Sequence, residues 1–189
     1  KIASEYRNTP DAFGILRGIW SPDSKWIAYT LDSAALIKQV HVYSIDNKKS
    51  FPITDGLSDV SGPVFDESGK YIYFFASTDA GPINNWFAMS TTEKRSTRAI
   101  YLATLQKDLL SPLAKESDEE EGAGKEEEDE KEENGKTVET IAIDFEGLNK
   151  RIISLPVEAG NLFSLQVGDE GQVYYLQAPA DARGPGEEG

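Results

Sequence analysis

Apolar and polar positions alternate along most of this chain in short runs, each closed by a cluster of Asp, Ser, Gly, Asn or Pro. That period of two belongs to half-buried strands, and no window carries the i, i+3, i+4, i+7 apolar spacing over helical length. The clearest run is Trp20-Ser21-Pro22-Asp23-Ser24-Lys25-Trp26-Ile27-Ala28-Tyr29-Thr30. Pro22 presets φ for a turn, Asp23 and Ser24 can bond their own backbone there, and Lys25 leads into alternating residues. The pattern predicts strand, tight turn, strand. Trp26, Ala28 and Thr30 face one way and Ile27 and Tyr29 the other, so a sheet covered on both faces is expected.

The same pattern returns from Phe65 to Phe74, with Lys70 at the place of Lys25 and Tyr71 at that of Trp26. A third copy runs from Val167 to Leu176, and its register extends upstream: Asn47 to Phe74 maps without gaps onto Asn149 to Leu176. Trp20, Pro22, Asp23, Trp26, Phe65, Gly69, Tyr71 and Gly171 are the residues that define this repeat. A unit of about 40 to 45 residues with four short strands is the signature of propeller blades. A β-sandwich of similar-looking hairpins is the alternative, and it does not account for the shared register. The fold class is therefore all-β, a partial propeller of four-stranded antiparallel blades, about two and a half of them.

The blades are expected at 18–56 and 57–157, with the end of a preceding blade at 1–17, the first strands of the next at 158–177 and a flexible tail at 178–189. Strands are expected at 18–21, 25–32, 39–45 and 50–54, then at 60–65, 70–77 and 98–105, with 151–157 as the outer strand of the second blade. Thr137 to Phe145 competes with 98–105 for the third-strand place, or adds an edge strand. A closed ring of six or seven blades needs about 250 to 300 residues, so 189 residues are expected to be a segment of something larger.

Charge changes the picture only locally. Of the net −14, the stretch from Lys115 to Gly135 carries −9, with twelve acidic residues and three Lys. It has no aromatic or β-branched residue and is expected to be a solvated, disordered insertion, taken as 115–136, rather than a tail for a basic partner. Cysteine is absent, which excludes disulfides and thiolate metal sites and leaves the compartment open. The cell envelope or periplasm is favoured over the cytosol. No apolar run reaches transmembrane length, so no membrane insertion is expected.

Two features invite a chemical reading. His41, the single histidine, lies in the run Val40 to Ile45 without a second ligand or a nucleophile turn beside it, and reads as a structural strand histidine. The long excursion 78–97 holds Asn84, Asn85, Trp86 and Phe87. Loops of this length are commonly functional, and this one is expected either to contact a peptide or partner or to plug a neighbouring blade.

The strand-turn-strand around Trp20 to Tyr29 resembles TolB-type propeller repeats. More specific are Phe51-Pro52-Ile53-Thr54-Asp55-Gly56, Phe74 to Pro82, Arg98-Ala99-Ile100-Tyr101-Leu102, Ser111-Pro112-Leu113-Ala114 before the acidic stretch, Ile143-Asp144-Phe145-Glu146-Gly147, and Arg151 to Val157. Together they resemble the propeller region of bacterial tricorn-type proteases, serine peptidases of the S41 group, over nearly the whole chain. The resemblance implies a noncatalytic segment that guides or filters peptides or unfolded polypeptide toward a separate C-terminal catalytic region. Its partners would be the remaining blades, a PDZ-like domain and the catalytic domain of its own chain, with homo-oligomerisation a further expectation. Two other classes stay open, a TolB-like interaction scaffold and the propeller of a prolyl-oligopeptidase-like enzyme. The residues show no Gly-x-Ser-x-Gly turn, no metal-ligand cluster, no phosphate-cradling loop and no basic patch with stacked aromatics. No catalytic residue, metal, cofactor or nucleic-acid partner is therefore expected.

Overall fold

The turns set the architecture. In the computed structural model, which describes residues 17–33, 37–77, 97–109, 112–113, 140–169 and 171–179, the Ser21 amide donates to the Trp26 carbonyl at 2.9 Å and the Ser24 amide to the Ser21 carbonyl at 2.9 Å. The second turn repeats both bonds, Asp66 to Tyr71 and Gly69 to Asp66, each at 3.0 Å. Its side chains are exchanged. In the first turn the Ser21 hydroxyl donates to the Asp23 carboxylate at 2.5 Å, whereas in the second Ser68 donates its hydroxyl to Asp66. Acid and alcohol have swapped places while the bond between them is kept. Ser24, Gly69 and Gly171 hold the same left-handed place, with φ of 59°, 71° and 77°, which is why Gly recurs there.

Each turn links two antiparallel strands. The first sheet is β1 (Ile19–Trp20), β2 (Trp26–Asp32), β3 (Lys38–Ser44) and β4 (Lys49–Pro52), in that order. The second is β5 (Asp59–Phe65), β6 (Tyr71–Ser77), β7 (Ala99–Thr104) and β8 (Ile152–Ser154), and β9 (Asn161–Val167) pairs with β10 (Val173–Ala178). These are two four-stranded blades and the first half of a third. The offset that carries Asn47 onto Asn149 carries β5 onto β9 residue for residue. The last turn is one residue tighter, because Val167 pairs with Val173 where Phe65 pairs with Ile72. β10 includes Ala178, the first residue of the expected tail.

Packing explains the alternation. Ile72, Phe74 and Ala76 of β6 meet Trp26, Ala28, Val40, Val42 and Ile53 of the first blade. Tyr73 and Phe75 turn to the other side and pack with Leu162 and Leu165 of β9. The second blade is thus buried on both faces, so β6 reads Tyr-Ile-Tyr-Phe-Phe-Ala-Ser with scarcely a polar position. Each fully buried aromatic or aliphatic side chain there contributes about 1.5 to 3 kcal/mol.

The contest for the third-strand place is settled by the pairing of β7 with β6, which runs from Tyr71 opposite Thr104 to Ala76 opposite Ala99. Thr140 to Phe145 forms neither that strand nor an extra edge strand. It is a strap laid across the junction of the first two blades. Asp23 takes the Ile141 amide at 2.8 Å, the Trp26 indole donates to the Ile141 carbonyl at 3.1 Å, and Lys25 reaches Thr140 at 3.2 Å. Both backbone groups of Ile141 are then satisfied by the neighbouring blade, so the strap has no need of a strand partner. Phe145 follows, stacked on Phe51 with centroids 4.2 Å apart. The chain then makes a 3-10 turn at Leu148–Arg151 and enters β8. Residues 1–16, 78–96, 114–139 and 180–189 lie outside the described residues, and with them the expectations for the preceding blade, the long excursion, the acidic insertion and nearly all of the tail.

Candidate functional site

A cavity of about 400 Å3 opens between the first strands of the three blades. β5 and β9 are terminal in their sheets, so each turns an edge toward this space, as inner strands of a propeller do toward its channel. Ile19, Val64, Phe75, Phe163 and Leu165 give the lining an apolar character. Arg17, Lys38 and Arg98 supply its charge, and none of the described lining residues is acidic. In a chain of net −14 this is a local reversal of sign.

Two of these cations are held in place. The Arg98 backbone exchanges two bonds with Gly160, at 2.8 and 3.0 Å, and its guanidinium donates to the Leu162 carbonyl at 3.3 Å. Arg98 therefore ties the second blade to the third. The Lys38 ammonium lies 3.7 Å from Asp32, and its amide donates to the Asp59 carboxylate at 3.0 Å. No local motif marks these three residues in the sequence, because Arg17 precedes β1, Lys38 opens β3 and Arg98 precedes β7 of the second blade, and only the packing of the blades brings them together.

The inner strands are interrupted at one level. Ser61 pairs with Phe75 and Val64 with Tyr73, so Gly62 and Pro63 stand opposite the single residue Phe74. In β9, Phe163 pairs with Leu176 and Gln166 with Tyr174, which leaves Ser164 and Leu165 opposite Tyr175. These are bulges whose first residue is left-handed, Gly62 at φ 60° and Ser164 at φ 55°. The repeat offset maps one onto the other. Arg17 and Gly18 occupy the matching place ahead of the short β1.

The residues that define the repeat lie elsewhere, in the turns and blade cores. Trp26 and Phe65 are buried, Trp20 is 56 % exposed, and Tyr71 packs on the second core. Asp23 and Trp26 clamp the strap, and Asp66, fully buried, accepts the Gly171 amide at 3.2 Å across the next junction. Asn84, Asn85, Trp86 and Phe87 lie outside the described residues.

His41 is stacked on Tyr29 at 5.9 Å, and its Nδ1 is 3.3 Å from the Ser50 hydroxyl. That hydroxyl is shared with the Tyr29 phenol. Burial pushes the His41 pKa down and the Tyr29 pKa up. The three side chains project from strands β2, β3 and β4 and form a hydrogen-bonded stack. Among the described residues no group of three or more His, Asp or Glu could hold a metal ion. No helix among them is long and apolar enough to cross a membrane.

Residues 9–187 match the family model described as the tricorn protease second beta propeller domain. A tricorn-like protease C-terminal subunit of Sulfurisphaera tokodaii is 25 % identical over 169 residues, covering 89 % of this chain and 17 % of that protein. A tricorn protease homolog of Saccharolobus solfataricus is 25 % identical over 165 residues, covering 87 % and 14 %. The crystal structure of the tricorn protease superposes with a TM-score of 0.61 at 16 % identity, over 96 % of this chain and 16 % of that one, and so shows the shared fold. The chain spans about one sixth of these relatives. With nearly its whole length matched by that one model, this chain belongs to the family of tricorn protease second β-propeller domains.

Proposed function

We propose that this propeller segment of a tricorn-like protease guides peptides, or unfolded polypeptide, along its channel toward a catalytic domain carried elsewhere in the parent chain. The observation that carries the reading is the cavity framed by inner strands of three successive blades, apolar at Val64, Phe75 and Phe163 and cationic at Arg17, Lys38 and Arg98. Apolar walls accept varied side chains, and the cations raise the local concentration of carboxylate-bearing chains. The segment itself positions substrate and does no chemistry.

The test uses the full parent protein. Ser61→Trp places a bulky ring in the cavity wall. Turnover of long unstructured peptides is expected to fall about tenfold, equivalent to about 1.4 kcal/mol in the barrier, and a serine-reactive inhibitor should abolish what remains. Unchanged long-peptide turnover in a folded variant would refute the guiding role.

A further inference from the structure

The inner edges of the blades raise a problem for any channel that conducts extended chains. A terminal strand presents unpaired N–H and C=O groups, and an extended peptide beside it can add itself as another strand. Among the described residues β5 and β9 are terminal strands, and both border the cavity. A peptide that paired with several of them would be held rather than passed on.

Each edge is broken where it meets the cavity. In β5 the break is Gly62, left-handed at φ 60°, followed by Pro63, which has no N–H to offer. In β9 it is Ser164, left-handed at φ 55°, followed by Leu165. In the first blade β1 begins only at Ile19, and Arg17 and Gly18 stand where the others have their bulge. Arg17, Gly62, Pro63, Ser164 and Leu165 all line the same space. A serine in a conformation that disfavours side chains, repeated at the glycine's place, shows that the kink is specified by position rather than by residue type. Bulges and Pro are the means by which edges are kept from pairing.

We infer that these aligned interruptions stop a passing extended peptide from pairing its main chain with the blades, so that the channel carries polypeptide without retaining it. The inference rests on the guiding role proposed above. Gly62, Pro63 and Ser164 are then specificity residues of an unusual kind, since they select against main-chain capture and leave side-chain contacts to the apolar and cationic walls.

The test again uses the full parent protein, with its peptidase activity inhibited and Phe163, which lines the cavity, replaced by a photo-crosslinking benzoylphenylalanine. The probes are a capped, uncharged Thr-Val peptide of about six residues, one strand's length, and the same peptide N-methylated at alternate positions so that one edge cannot donate. In the parent both peptides are expected to cross-link within about twofold of each other. Deleting Gly62 together with Pro63→Thr straightens β5 and restores its donor. The plain peptide should then be captured about tenfold better, the effect of one or two added hydrogen bonds, with the methylated one unchanged. Pro63→Thr alone, which keeps the bulge, should give a smaller gain and serves if the straightened chain fails to fold. A parent that already prefers the plain peptide fivefold, or folded variants that show no preference, would overturn the inference while leaving transit intact. Absence of cross-linking to either peptide in every form would overturn the guiding role, and this inference with it.

Discussion

Gly69 and Gly171 occupy one place in the repeat and answer different demands. Both have left-handed φ, but a Cβ on Gly69 would lie 2.4 Å from the Ile141 side chain, whereas one on Gly171 would meet nothing within 4 Å. Gly171→Ala is expected to cost about 1 kcal/mol, the backbone term alone, and Gly69→Ala about 2 to 4 kcal/mol, since overpacking adds to it. Urea unfolding of the two variants side by side checks this, and equal losses would show that the strap yields to the added methyl. His41 makes a separate prediction. Burial holds its folded pKa below the unfolded value, so as pH falls the unfolded chain takes up the proton first and stability drops. The penalty is absent above the unfolded pKa, grows between the two pKa values and is constant below the folded one. The fall in melting temperature between pH 7.5 and 5.5 should be smaller in His41→Gln than in the native chain.

At the scale of elements, Arg151 decides whether the strap stays in place. Its guanidinium donates to the backbone carbonyls of Thr104 at 3.2 Å, Glu146 at 2.9 Å and Leu105 at 3.5 Å, and also to that of Asp144. One side chain thus joins the end of β7 to the return of the acidic insertion. Arg151→Met is expected to lose about 2 to 3 kcal/mol by leaving acceptors without donors. Arg151→Lys should restore only part of that, since a point charge cannot span carbonyls on two segments. Thermal unfolding distinguishes the outcomes, and a native-like Arg151→Met would mean that water replaces the fork. The neighbouring pair of Lys107 and Glu146, at 2.7 Å, is open to solvent, and its loss should leave the same transition unmoved.

At the scale of the molecule, the blades form an arc whose middle member is covered on both sides. β6 is apolar on both faces for that reason, whereas in β10 Tyr174 and Leu176 are 59 % and 55 % exposed while Val173 and Tyr175 pack on the second core. The arc also produces the site. Arg17, Lys38 and Arg98 are separated in sequence and meet only because the first two blades bring the starts of β1, β3 and β7 to one space. Since the chain covers about one sixth of its relatives, the guiding role has to be tested in the parent protein.

Strand positions, turn positions and the blade repeat were legible in the residues, because period-two alternation and turn chemistry are local and recur in register. The same reading left 98–105 and 137–145 in competition, because both alternate. Only tertiary structure separated them, through the bonds of Asp23 and Trp26 to Ile141, partners more than a hundred positions away along the chain. The cationic cavity lay beyond the sequence for the same reason. A strand's pattern records which of its faces is buried, while the meeting of edges from three blades depends on how those blades are arranged around their common axis.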